Sequence, residues 1–351
     1  MNENPSAKGD LYICDTPYHL LVAIIKAMQQ GQKPSLMLSN KFIRSRKIIQ
    51  NLKASGLFVK IYGLKDRTKN LMDYMEYHKY RWLSRRTDKK KKMEQDFPSL
   101  RVVASQRVFL FNDTTIAGYY LQLLQKPYHL LEDGRNNYAF AKDVLRLRGK
   151  NKWVEARDYI WHSRHLSMGQ SPLVRSLEVH ERVPSFRYMK DELPLHVVNK
   201  EDMFANLSNE QKRMLLQIFD ASNLVEWGMR LKGKRCTLLL TQPLKDLDPT
   251  MTTERQQEIY LSMVQEYGAG ALFVKLHPRD KVSYDSVFPG AHFLPADFPA
   301  ELLGMAEISF AVVLAGISTA AESIPAEKKI VFSLDDFCRK YELQGEETLL
   351  Q

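Results

Sequence analysis

Asp10-Leu11-Tyr12-Ile13-Cys14-Asp15-Thr16-Pro17-Tyr18-His19-Leu20-Leu21 is the stretch that decides the fold. The apolar run from Leu11 to Cys14 reads as a short strand. It stops at Asp15-Thr16-Pro17, where a cap candidate stands before a proline suited to the first turn of a helix. Between residues 18 and 28, Leu20, Leu21, Ala23, Ile24, Ile25 and Met28 share a broad apolar helical face. Gly31 and Pro34 end that helix. A second strand over 35–38, a helix over 43–54 and a third strand over 57–62 follow. Strand–helix–strand–helix–strand is the grammar of a parallel sheet with crossover helices.

Further along, a strand over 107–111, a helix over 114–124 and a strand over 127–131 lead to Glu132-Asp133-Gly134. Residues 66–96 interrupt the pattern. They are rich in Lys, Arg, Tyr and Met, end in Lys89-Lys90-Lys91-Lys92, and read as a long amphipathic helix or helical hairpin closed by Pro98. Residues 135–180 read as irregular excursions beside the strand ends, with Trp153, Tyr159, Trp161, His162 and His165 clustered there. Pro184, Pro194 and mixed charge mark 181–200 as the domain boundary, giving domains 1–185 and 186–351. After a helical stretch over 200–219 a second series begins, with strands over 234–240, 271–276, 308–314 and 329–334. A helix over 253–267 and another opening at 320–324 alternate with them. The expectation is an α/β chain of two Rossmann-like domains. Open α/β sheets bind ligands beyond the carboxyl ends of their strands. Asp15-Thr16, Glu132-Asp133, His277-Pro278 and Ser318-Thr319 all fall at such ends, which predicts one active site in an interdomain cleft.

Composition narrows the class. A length of 351 residues suits two domains. With 44% hydrophobic and 26% charged residues, wholesale disorder is excluded. No apolar stretch reaches the roughly 18 residues of a spanning helix. The polar N-terminus lacks the apolar core of a signal peptide. Cys14, Cys236 and Cys338 lie far apart, suit a reducing compartment and match no zinc spacing. These features together predict a cytoplasmic protein. Lys and Arg number 51 against 41 Asp and Glu, a surplus of ten that points to an anionic partner: nucleic acid, anionic lipid or a phosphorylated substrate.

Four local constellations can carry chemistry. In Glu132-Asp133-Gly134, one carboxylate can face the cleft as a general base for a sugar hydroxyl; equally, the triplet is an ordinary Asp-Gly turn. His277-Pro278-Arg279, with Lys275 before it, brings an imidazole and two cations to a strand end, which suits a phosphate; the bland alternative is a surface histidine among solvated charges. Gly316-Ile317-Ser318-Thr319 precedes a helix whose free N–H groups suit phosphate, while Ser/Thr with Glu322 also reads as a capping box. Asp246-Leu247-Asp248 has the look of a metal pair, but its loop context favours two solvated acids. No glycine-rich phosphate loop, zinc cluster or serine nucleophile elbow is present.

The order of these motifs resembles the bacterial sialyltransferases: acid–acid–Gly in the first half, His-Pro in the second, then Ser/Thr before a helix. The opening Tyr12-Ile13-Cys14-Asp15-Thr16-Pro17-Tyr18-His19-Leu20-Leu21 is similar to the start of glycosyltransferase family 52, which includes the lipooligosaccharide sialyltransferases. The resemblance spans about residues 10 to 335. It implies a GT-B fold, CMP-sialic acid as donor, inversion at the anomeric carbon and no required metal or other cofactor. It implies His277 as general acid or phosphate ligand, with Ser318 and Thr319 on the CMP phosphate. In related families the first acid of acid–acid–Gly is the base, here Glu132; Asp248 and Glu254 remain rivals. Asp15, Thr16, Lys275, Pro278, Arg279 and Gly316 complete the expected substrate contacts, with Asp133 beside the base. The expected acceptor is a galactosyl-type glycan or glycolipid of the bacterial surface, and the family mildly favours a homodimer. One competing reading is a GT-B transferase using another nucleotide sugar. A nucleic-acid-binding protein, supported by the surplus of ten positive charges and the basic, Tyr-rich residues 66–96 but by no nucleic-acid motif, is the distant alternative, and nucleic acid is not an expected partner. The basic, aromatic residues 66–96 suit an anionic membrane surface on the inner face of the inner membrane better.

Overall fold

The computed structural model describes residues 9–39, 45–65, 86–133, 171–181, 194–231, 233–294, 296, 298–306, 308, 310–316, 320–321 and 324–343. The chain divides into two compact units, Met1–Ser208 and Asn209–Gln351.

In the first unit, strands β1 (Asp10–Cys14), β2 (Ser35–Ser39), β3 (Ile61–Leu64), β4 (Arg107–Leu110), β5 (Tyr128–Leu130), β6 (Val174–Val179) and β7 (Leu195–Val197) build one sheet among the described residues. Its order is β3-β2-β1-β4-β5-β6-β7 and every pairing is parallel. The order reverses at β1, with β2 and β3 on one side and β4 onward on the other. A reversal of this kind opens a crevice at the strand ends.

Helix α1 (Pro17–Gln29) starts where expected. Thr16 Oγ1 accepts the His19 amide at 3.1 Å, and Pro17 lacks the N–H that the first turn would orphan. Residues 20–25 of α1 are buried throughout. Strand β1 alternates as a covered strand should: Leu11 and Ile13 join one core while buried Tyr12 and Cys14 face the other way. That core also takes Leu110, Leu130 and Leu177 from the sheet, Ile116, Tyr120 and Leu121 from α4 (Ile116–Leu124), and Leu100 and Val103 from the 3-10 turn Pro98–Ser105. Gly118 is required in α4: a Cβ there would stand 2.0 Å from the Asp113 carbonyl oxygen.

Several expectations shift. Strand β6 lies inside the segment read as irregular. Its buried residues Val174, Leu177 and Val179 break strict alternation because the register with β5 shifts between Tyr128 and His129. Strand β7 pairs Leu195 with Leu177, so the first unit runs past the expected boundary at 185/186. Strand β3 begins four residues late, after Gly56 closes α2 (Arg46–Ser55) in the left-handed conformation. Of the helix expected over 66–96, residues 66–85 lie outside the described residues; 86–96 form α3 (Arg86–Asp96), anchored by buried Met93. The helical stretch after 200 is interrupted and becomes α5 (Lys200–Ala205) and α6 (Asn209–Ile218), with α7 (Asn223–Leu231) behind them.

The second unit repeats the architecture. Strands β8 (Cys236–Leu240), β9 (Ala271–Lys275), β10 (His292–Leu294), β11 (Phe310–Ala315) and β12 (Ala326–Val331) form a parallel sheet in the order β10-β9-β8-β11-β12. The order reverses at β8. Strand β12 sits three residues earlier than expected because Ser333 caps α10 (Leu334–Tyr341), its Oγ accepting the Asp336 amide. Helix α8 (Thr253–Tyr267) matches the expectation, capped by Thr252, and α9 (Leu302–Met305) is short. Leu239, Val274, Val312 and Leu314 pack against Ile259, Tyr260 and Met263 of α8 and Phe337 of α10. No helix among the described residues is long and apolar enough to cross a membrane.

Candidate active site

The carboxyl ends of β1, β4, β5 and β6 gather the first cluster. Asp133, past the end of β5, is gripped on both oxygens. Its Oδ1 accepts from His19 Nε2 and its Oδ2 from Asn112 Nδ2 at 2.8 Å. His19 is only 1% exposed and lies flat on Phe111, the rings 4.2 Å apart and 4° from parallel. The Asp15 amide donates to His19 Nδ1 at 3.2 Å. A nitrogen that accepts carries no proton, so the hydrogen sits on Nε2 and points at Asp133. Asn112 is oriented too: its Oδ1 accepts the Thr114 amide at 2.8 Å and the Thr114 hydroxyl at 2.5 Å, which turns its Nδ2 toward Asp133.

Glu132 is buried and accepts the backbone N–H of His180 just past β6. The His180 ring clamps that strand end. Its Nδ1 donates to the Val198 carbonyl at 2.8 Å, and its Nε2 accepts from the Tyr18 hydroxyl. Lys200 Nζ lies 5.0 Å over the Tyr18 ring.

The second cluster forms at the ends of β8 and β9. The His277 amide donates to Thr241 Oγ1 at 3.3 Å, tying the two strand ends. His277 Nδ1 accepts the Arg279 amide at 3.1 Å, so the neutral ring carries its proton on Nε2. Burial first, then the charges of Arg279 and Lys275, push His277 down to about 4, against a smaller opposing pull from Asp246. Arg279 is exposed and pairs with Asp246 at 2.7 Å. Lys275 is buried; its ammonium donates to the carbonyls of Leu276 and Ala296 at 3.0 and 3.2 Å and lies 4.9 Å over Phe298. It braces the segment that follows β10. Below His277 a buried network holds the turn: Asp280 accepts from Gln256 Nε2 at 3.1 Å and from the Tyr284 hydroxyl at 2.9 Å, while Gln256 Oε1 accepts the Leu244 amide at 2.9 Å.

Asp15, Thr16, Glu132 and Asp133 therefore come together in one unit, and Lys275, His277, Pro278 and Arg279 in the other. Gly316 is buried at the end of β11, where an added Cβ would meet the Phe337 ring at 3.1 Å. Ser318, Thr319, Gly134 and Glu322 lie outside the described residues. The Asp246/Asp248 pair is not two solvated acids. Asp248 is 5% exposed, accepts from the Thr250 amide and hydroxyl, and helps raise the Cys338 thiol pKa. Glu254 is exposed in the first turn of α8. Sequence reading did not single out His19, Asn112 and His180. A lone imidazole among the apolar residues of α1, and an Asn-Asp-Thr-Thr turn after a strand, were signals for the first two. His180 carried none, because the strand before it was not recognised.

A family model described as Glycosyltransferase family 52 matches residues 60–334. The chain belongs to glycosyltransferase family 52. Its GT-B fold is that of a sialyltransferase from Photobacterium damselae (residues 113–497, the GT-B domain), similar with a TM-score of 0.54 and 16% identity over 97% of this chain and 96% of that one. The S. aureus MnaA–UDP structure shares the fold at a TM-score of 0.51 and 13% identity, covering 90% of this chain and 78% of that one. An uncharacterized protein of Haemophilus influenzae is 27% identical over 228 residues, 65% of this family 52 chain and 69% of that protein.

Proposed function

We propose that this family 52 glycosyltransferase is an inverting sialyltransferase. It moves sialic acid from CMP-sialic acid to a galactosyl-type hydroxyl of a bacterial surface glycan, in lipooligosaccharide or capsule. His277 carries the reading. Its Nδ1 is occupied by the Arg279 amide, so Nε2–H is the group it offers to a phosphate. A ring with a pKa near 4 is neutral at physiological pH, which favours phosphate ligand over a preprotonated general acid.

The reaction is a direct displacement. The acceptor oxygen forms its bond to the anomeric carbon as the bond to the CMP phosphate oxygen breaks, and that electron pair leaves with CMP. Glu132, the first acid of the acid–acid–Gly motif, takes the acceptor proton; Asp248, buried and tied to Thr250, and Glu254, exposed at a helix start, are the rival bases. The charge gathering on the phosphate is met by His277 Nε2–H and Arg279, with Ser318 and Thr319 as further donors. CMP carries one phosphate, so less charge develops than on a nucleoside diphosphate, and the proposal needs no metal. The basic residues 66–96 meet the anionic membrane face that carries a glycolipid acceptor.

Thermal shift with CMP, CMP-sialic acid, UDP and UDP sugars tests the donor, followed by transfer to a panel of galactosyl acceptors read by product mass and linkage. CMP and CMP-sialic acid should raise the unfolding temperature and yield a sialylated product. Stabilisation by UDP sugars alone, with transfer of their sugar, would replace the donor.

A further inference from the structure

The acidic pair at the end of β5 is not two equivalent carboxylates. We propose that Asp133 is a positioning residue, held by a tautomer-locked His19 and a turn-locked Asn112, and that this clamp sets the direction in which Glu132 is presented. The inference deepens the function proposed above and rests on its assignment of Glu132 as base.

Three elements meet in the clamp. His19 comes from α1, Asn112 from the turn after β4, and Asp133 from the turn after β5. They converge where the order of the first sheet reverses. Neither donor can turn away cheaply. Rotating the buried His19 ring would break the Asp15 amide bond to Nδ1, in a part of the site where water replaces it poorly. Rotating the Asn112 amide would point its Nδ2 at the Thr114 backbone amide, donor against donor. Asp133 thus receives one fixed donor on each oxygen. Two charge-assisted hydrogen bonds, one on each oxygen, fix the carboxylate in place and occupy the lone pairs that a base would turn toward a substrate. Its neighbour Glu132 is held by the His180 backbone N–H just past β6, so both acids are tied to the strand ends.

The clamp makes asymmetric demands on substitution. Gln at 19 can still donate from its Nε2; Leu cannot. Asn at 133 can accept from His19 on one atom but must face Asn112 with a donor.

The test uses the full chain and two readouts. Long-range ¹H–¹⁵N spectra of the histidine rings report the tautomer of His19 without any substrate. The Nε2–H tautomer should be the one observed, and the His19 signals should move in Asp133→Asn. A ring that samples both tautomers would overturn the clamp. In transfer assays with CMP-sialic acid, His19→Leu should lower kcat about 10²-fold with the donor KM within twofold, the size of loss that a misplaced reacting group produces. His19→Gln should recover most of that loss. Asp133→Asn should lower kcat far less than Glu132→Gln. A loss in Asp133→Asn as large as in Glu132→Gln, or a His19→Gln variant as slow as His19→Leu while folded, would overturn the assignment. If the wild-type chain transfers nothing from CMP-sialic acid, the donor reading fails, and the tautomer spectra still decide the clamp.

Discussion

The two strand-end clusters are built on opposite plans. In the first unit the functional side chains hold one another: His19, Asn112 and the His180 amide each spend a donor on the acidic pair. In the second, the chemistry sits above a separate support. The His277 ring is tied through Nδ1 and its backbone through its amide and carbonyl, while Asp280, Gln256 and Tyr284 lock the turn beneath it. The difference suits the roles proposed for each end. A base must be aimed before the acceptor arrives, and reorganisation during reaction would raise the barrier. A phosphate ligand needs an available donor on a rigid mount.

The largest expected effect comes from striking each plan at its working group. His277→Ala should lower kcat for sialyl transfer by about 10²–10⁴-fold and shrink the CMP-induced thermal shift; Glu132→Ala should lose a similar factor while keeping that shift. Near wild-type transfer in both variants would dissolve the assignment. The support under His277 comes next. Asp280→Ala leaves the Tyr284 hydroxyl without its buried acceptor and takes one of two acceptors from the Gln256 amide, so denaturant unfolding should show a loss of about 1–3 kcal/mol. A loss well below that range would mean the turn is held by other contacts.

The smallest effect is in pH dependence. The folded His277 pKa, near 4, lies below that of an unfolded histidine, about 6.5. Between those values the unfolded chain binds the extra proton, so stability rises with pH there and falls on acidification from about 6.5 toward 4. His277→Asn should flatten that part of the curve in denaturant titrations at successive pH values. An unchanged slope would show that His277 is not the group responsible.

Much of the fold was legible because its signals are local. Thr16-Pro17 caps α1, Thr252 caps α8, and the apolar runs of β1, β8 and β9 fell within a residue or two of their observed ends. Strand β6 was not, because a register shift disrupts the alternation that marks a strand. Strand β7 was hidden among prolines, although its pairing with β6 extends the first unit to Ser208. At the site, His277-Pro278 and Glu132-Asp133 announced themselves by their position at strand ends, whereas Lys275 and Asp248 looked available and are buried.

The sequence by itself determined two parallel α/β sheets, the family, and which strand ends carry polar chemistry, since these depend on periodicity, caps and short motifs within a few residues of one another. Only the tertiary structure decided what those residues do to each other. His19 and Asp133 are 114 positions apart, and Glu132 and His180 are 48 apart. Hydrogen bonds across such separations depend on strand order, and strand order is set by the packing of the whole sheet.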